Sequence, residues 1–191
     1  MPDKFSSRFY SLYCTRIPAA IEVRNVTPID DPYRLLSGNA DDHPRVFSVE
    51  GGRTFQDLID TGWGFLFLIS TRLVRLLTQE KVTGWSAWNA VIRMPGGPER
   101  LDYKGLSVRG RAGSVGERAG QVNLKPRRYG SGAVAVRTGL HFEDSTWDGS
   151  DMFVPAGTGF VLCVERVRDL FRDHNVTNAS FKAIEKIEQL V

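Results

Sequence analysis

Glu143, Asp144, Asp148 and Asp151 crowd into one short stretch, HFEDSTWDGSD, with His141 at its head. Carboxylates this close in sequence suit two tasks: holding a hard cation, or acid–base work with His141 as the proton partner. The second reading would make the chain a small hydrolase or transferase using Asp148 or Asp151 with His141. The spacing does not match an EF-hand loop, whose ligands recur at fixed alternate positions. Asp148 stands before Gly149 and Ser150, where an Asp side chain fixes a turn, and that structural role is the favoured one. His43, His141 and His174 are scattered and form no ligand set with the cysteines, so neither metal nor cofactor is expected. The two cysteines, Cys14 and Cys163, make no CxxC pair, and Cys163 in GFVLCVE reads as a small buried hydrophobe. No catalytic residue is assigned.

Basic residues gather immediately upstream. Between residues 104 and 137 stand Lys104, Arg109, Arg111, Arg118, Lys125, Arg127, Arg128 and Arg137, against Glu117 alone. The glycine-rich RGRAGSVGERAG inside this stretch lacks the lysine of a phosphate-binding loop. A nucleic-acid-binding role for the 104–137 segment is the third alternative. Aromatic residues are sparse there and no helix-turn-helix or RNA-recognition signature appears, so nucleic acid is not the expected partner. The segregated charges suit steering of a protein partner instead.

Tryptophan is both a core filler and an interface anchor. Trp63, Trp85 and Trp88 are expected in the core, whereas Trp147, set among acidic residues and glycine, is expected to face a partner. The candidate contact residues are therefore Trp147, Asp148, Asp151, Arg127 and Arg128.

These residues must be positioned by regular elements, and a repeat organises them. GFLFLISTRLVRLLTQEKVTGWSAWNAVI (64–92) aligns with GFVLCVERVRDLFRDHNVTNASFKAIEKI (159–187) at a shift of 94 residues, matching Arg72 with Arg166 and Thr83 with Thr177. Each copy opens with an apolar run of strand length, turns to helical periodicity, and closes with alternation. Ser70 is the expected N-cap of the first helix, over a stripe of Leu73, Leu76 and Leu77. Thr83-Gly84 and Thr177-Asn178 are expected to end the two helices. Further strands are expected at 9–13, 45–49, 103–108 and 133–142, a short helix at 54–60, and glycine-rich mobile loops over 105–132. The fold class is α+β: mixed β-sheets, two similar strand-helix-strand units at about 64–92 and 159–187, and few short helices. One domain over 1–191 is expected, with repeat halves of about 1–94 and 99–191.

A 41% hydrophobic and 25% charged composition is that of an ordinary globular chain, which argues against disorder. The longest apolar run, around residues 63–69, is too short to cross a bilayer, and MPDKFSSRFYSLYC lacks the apolar core of a secretory signal. A cytoplasmic protein without membrane insertion is expected.

YKGLSVRGRAG followed by GLHFEDSTWDGSDMFVPAGTGFVLCVERVRDLF resembles the double-CxxCG immunity proteins of the myxobacterial toxin-immunity type, over roughly 101–185. The most specific element is W-D-G-S-D-M-F, followed by a strand and an E-R-V helix. The two CxxCG motifs are missing, and 119–132 reads AGQVNLKPRRYGSG, so the resemblance is to a cysteine-free variant and carries no metal ribbon. It implies a non-catalytic immunity protein whose partner is a cognate antibacterial toxin.

Overall fold

The computed structural model describes residues 8–15, 17–40, 43–116, 122–126 and 131–190. In chain order its first elements are β1 (Phe9–Cys14), β2 (Glu22–Asn25), α1 (Pro32–Leu36), β3 (Arg45–Gly51), β4 (Leu58–Asp60), β5 (Phe67–Ser70), α2 (Thr71–Gln79) and β6 (Trp85–Arg93). There follow β7 (Glu99–Arg100), β8 (Tyr103–Val108), β9 (Gly110–Ala112), β10 (Val122–Pro126), β11 (Ala133–Thr138), β12 (Met152–Pro155), β13 (Leu162–Val164), α3 (Glu165–Asp173), β14 (Ala179–Ala183) and β15 (Glu188–Leu190). Strand content of 42% against 18% helix makes this a sheet-rich α+β fold. Among the described residues no helix is long and apolar enough to cross a membrane.

One sheet runs β14-β1-β13-β12-β9; a second runs β2-β3-β6-β8-β5-β4 with β7 on β6; a small third is β10-β11-β15. In the second sheet, α2 carries the chain from β5 to β6, and β8 lies between them, antiparallel to both. In the first, α3 carries it from β13 to β14, and β1 lies between them, again antiparallel to both. The registers correspond: Ser70 faces Tyr103 as Val164 faces Phe9, and Trp85 faces Val108 as Ala179 faces Cys14. Each pair of flanking strands is thus completed by a strand distant in the chain.

The helices form where the sequence gives them one apolar face. Ser70 caps α2, its Oγ accepting from the Leu73 N–H at 3.1 Å, while Leu73, Leu76 and Leu77 are buried. In α3, Val167 and Phe171 are buried; Val164 stands at the N-cap and gives no side-chain cap. The helices stop earlier than the Thr83-Gly84 and Thr177-Asn178 signals suggest. Lys81 and Asn175 already take left-handed backbone, at φ 50° and 48°, so Gly84 and Asn178 open the following strands.

Two further expectations are corrected. Residues 54–60 are not helical; Leu58–Asp60 form β4, because Leu58 and Ile59, pointing to opposite faces, are both fully buried when paired with β5. The glycines of the middle segment are not all loop glycines. Gly105 lies in β8 opposite Trp88, where a Cβ would fall 1.8 Å from the indole Cε2. Gly110 and the left-handed Gly84 both press on the Met152 carbonyl. These glycines let backbone and ring approach closely.

The largest core cluster draws on both α2 and α3, with Phe47, Phe67, Trp88 and Phe171 among its members. A second cluster gathers Phe9, Leu140, Phe142, Phe153, Leu162, Ile184 and Ile187.

Candidate functional site: carboxylate clusters and an exposed aromatic surface

Among the described residues two carboxylates are buried, Asp57 and Asp151, and each is held in the same way. Asp57 receives a bidentate contact from Arg72, Nε at 2.9 Å on Oδ1 and Nη2 on Oδ2, and its Oδ2 accepts from the Thr177 N–H and Oγ1, both at 3.0 Å. Asp151 receives Arg166 Nε at 2.6 Å on Oδ1 and Nη2 on Oδ2, and its Oδ2 accepts from the Thr83 N–H at 2.7 Å and Oγ1 at 2.8 Å. The arginines also reach past the far helix end. Arg72 donates to the carbonyls of His174 and Asn175, and Arg166 to those of Glu80 and Lys81. Carbonyls at a helix C-terminus lack intrahelical partners, so a guanidinium there is well placed.

Burial alone would raise the Asp57 carboxyl, but hydrogen bonds from Arg72, the Thr177 amide and Ser70 outweigh it and hold the group at about 2. Asp151 is likewise held below the usual carboxylate range, burial being outweighed by Arg166 and Thr83. Both are fixed anions that join distant parts of the chain. Neither is a proton carrier near neutral pH.

This placement settles much of the acidic segment. Asp151, expected at an interface, is buried and fully engaged; its carboxylate serves the fold. Asp148 is exposed, yet its carboxylate accepts from the Arg111 N–H at 2.8 Å and the Ser150 N–H at 2.9 Å, fixing the turn. Among the described residues neither aspartate hydrogen-bonds to His141, which lines a separate cavity with Gly113 and Phe142. Trp147 is half-buried rather than outward-facing: its ring packs edge-on to Phe9 at 5.1 Å and its Nε1 donates to the Ser150 carbonyl. Arg127 and Arg128 lie outside the described residues. Elsewhere in the basic segment, Arg111 is turned inward on the Val108 and Gly110 carbonyls, Lys104 donates to Asn89, and Lys125 pairs with Glu188.

Burial raises both cysteine thiols, Cys163 by desolvation and Cys14 by desolvation reinforced by Asp60, so both stay protonated. Among the described residues no group of three or more His, Cys, Asp or Glu is arranged to hold a metal.

The exposed aromatic surface lies elsewhere, where Trp63, expected in the core, stands exposed in a row with Tyr33 and Phe65. Tyr33, 53% exposed, stacks on Phe65 with ring centroids 5.0 Å apart and planes at 20°. Trp63, 42% exposed, continues the row at 6.4 Å from Phe65. Each member is rigidly mounted. Asp31 caps α1 by accepting from the Tyr33 and Arg34 N–H groups, and the Leu35 carbonyl accepts from Ser107 Oγ on β8. Asp60 Oδ1 accepts from the Gly62 N–H at 2.8 Å and Thr61 Oγ1 donates to the Leu66 carbonyl at 2.8 Å, closing the loop that carries Trp63 and Phe65. Gly62 and Gly64, at φ 87° and 74°, flank Trp63 and turn it outward. Phe65 rests against Gly159, where a Cβ would come within 2.8 Å of the ring. The available signal was the glycine on each side of Trp63, which marks a turn rather than a strand.

No protein-family model matches the chain, and no curated protein matches it as a relative.

Proposed function

We propose that this chain is an immunity-type protein that binds and neutralises a cognate antibacterial toxin without turnover, and that Tyr33, Phe65 and Trp63 anchor the contact. The observation that carries this reading is the aromatic row itself. Two exposed rings, Tyr33 and Trp63, flank the half-buried Phe65 on a scaffold that fixes their backbone, so little conformational freedom is lost on binding. Arg34, exposed beside Tyr33, adds the residue type that accompanies aromatic anchors at energetic centres of interfaces. The immunity assignment draws on the resemblance of the W-D-G-S-D-M-F stretch. In the structure that stretch is a turn plus the start of β12, so it supplies architecture, and the proposal assigns recognition to the loop 61–66 and α1 on the strength of the aromatic row.

The same proposal includes a duplicated scaffold: two strand-helix-strand units, about 64–92 and 159–187, whose missing central strands are supplied reciprocally by β8 and β1. The equal 94-residue offsets of Asp57 from Asp151, Arg72 from Arg166 and Thr83 from Thr177 support it, as do the matching registers. Both clusters then act as rivets that leave the loops free for recognition.

Co-expression with the products of neighbouring genes, screened for one that arrests growth, tests the function. Native chain restores growth, and a Trp63→Ala/Tyr33→Ala double variant does not. Equal killing with and without the native chain removes the proposal.

A further inference from the structure

Tyr33, at one end of the aromatic row, also lines a cavity of about 280 Å³, with Leu36, Val154 and Pro155 on its apolar side. The hairpin between β12 and β13 forms the facing rim. It is braced, since the Thr158 N–H and Oγ1 both donate to the Pro155 carbonyl, at 3.2 and 2.9 Å. Gly159, next along that hairpin, is the residue on which Phe65 rests, so the cavity and the row form one continuous surface.

Two guanidinium groups line this cavity, Arg34 and Arg111. Arg111, half-buried, donates through Nη1 to the Val108 and Gly110 carbonyls at 2.6 and 2.8 Å, while Nη2 reaches only the Ser37 carbonyl at 3.5 Å. Arg72 and Arg166 hold backbone carbonyls too, but each also grips a buried aspartate. Among the described residues neither Arg34 nor Arg111 has a carboxylate within ion-pairing distance. Asp31, also in the lining, turns Oδ1 to the Tyr33 and Arg34 N–H groups. Asp148 feels the Arg111 charge at longer range, with its oxygens engaged by the Arg111 and Ser150 N–H groups. Two cations against one anion leave the lining positive, and a charge beside an apolar wall attracts a counter-charge more strongly than one in open water.

We propose that this cavity takes the carboxylate of an acidic side chain of the protein partner, a Glu or Asp whose apolar neighbour lies on the Tyr33, Phe65 and Trp63 rings. This rests on the reading of that row as the partner-binding surface. Guanidinium forks match the two oxygens of a carboxylate, and the apolar side of the cavity suits its methylene stem. The formal net charge of +3 agrees with an acidic partner. Asp30 and Asp31 at the start of α1 disfavour the run of phosphates that a nucleic acid would bring.

The test is titration of the full chain with the blocked peptide N-acetyl-Glu-Trp-Glu-amide, with its counterpart N-acetyl-Gln-Trp-Gln-amide, and with oligothymidylate, followed by the amide shifts of Gly157 and Thr158 and by the Trp63 indole N–H. The acidic peptide should bind saturably, shift all three signals, and bind about 10-fold more tightly than the glutamine peptide, the scale of one charge-assisted hydrogen bond. Arg34→Gln, at an exposed position whose side chain makes no described hydrogen bond or ion pair, should remove that preference. Arg75→Gln, which takes the same charge from an exposed position of α2, should keep it. No binding of the acidic peptide, equal binding of the two peptides, an undiminished preference in folded Arg34→Gln, or tighter binding of oligothymidylate at the same residues overturns the proposal. Acid preference in a chain that fails to protect cells supports the cavity and removes the toxin reading; protection without acid preference removes the cavity and leaves the toxin reading intact.

Discussion

Asp57 and Thr177, 120 residues apart, share three hydrogen bonds: the Asp57 N–H donates to Thr177 Oγ1 at 2.8 Å, and the Thr177 N–H and Oγ1 both donate to Asp57 Oδ2. Asp151 and Thr83 share the same three with the chain order reversed. Each threonine follows one helix, and each aspartate immediately precedes the strand, β4 or β12, that pairs with the strand leading into the other helix. Removing either carboxylate therefore leaves donors in two places without their acceptor.

Asp57→Ala and Asp151→Ala should each destabilise the chain by about 2–3 kcal/mol, the scale of losing charge-assisted hydrogen bonds at a buried acceptor. Urea unfolding measures this. Thr83→Val and Thr177→Val, which keep the N–H bond, should cost less than the aspartate changes. A cost below about 0.5 kcal/mol, the range of ordinary surface substitutions, would show that the clusters carry no structural load.

The acid limb of stability follows from Asp57. Its carboxyl sits at about 2 in the folded chain against 3.8 ordinarily, so its folded pKa is depressed. That stabilisation is complete above the ordinary value and is lost as pH falls from about 4 toward 2. The shift corresponds to about 2 kcal/mol. Asp57→Asn should lower stability at pH 7 and flatten the pH dependence in that window, as read from urea midpoints between pH 2 and 6.

Gly105→Ala should destabilise by about 3 kcal/mol or more, since the new methyl group would overlap the buried Trp88 indole and both neighbours are core strands. Gly97→Ala, where a Cβ meets Met94 Cβ at 3.2 Å and the Pro95 carbonyl oxygen at 4.0 Å, should change stability far less. Thermal melts of the two variants separate close packing from loop freedom as the reason for glycine in each place.

Local patterning made the helices legible. Ser70 before the Leu73, Leu76, Leu77 stripe located the start of α2, though not its end, and Cys163 in its apolar run was correctly buried. Hidden from the sequence was everything that depended on strand order. Leu58 and Ile59 look like a helical pair because adjacent apolar residues have no period of two, and only the pairing with β5 buries both. Asp151 reads as an exposed acid until Arg166 and Thr83 converge on it, a meeting set by the 68 residues that separate Thr83 from Asp151. Trp147 and Trp63 exchanged their expected places for a similar reason: Trp147 lies over Phe9, contributed by β1 from the far end of the chain.

These two tryptophans should respond oppositely. Trp147→Ala removes packing on Phe9 and Phe153 and should cost about 3 kcal/mol of stability. Trp63→Ala should leave the melting temperature nearly unchanged and act on partner binding alone. Parallel thermal melts and binding assays distinguish the two effects.

The most direct measurement is calorimetric titration of the cognate toxin that the proposed function requires with native chain and with Trp63→Ala/Tyr33→Ala, both verified as folded. The account predicts tight one-to-one binding by the native chain and at least a 100-fold loss in the variant, about 2.7 kcal/mol across two aromatic anchors. Equal affinity for the two proteins, or no binding by the native chain, would contradict it.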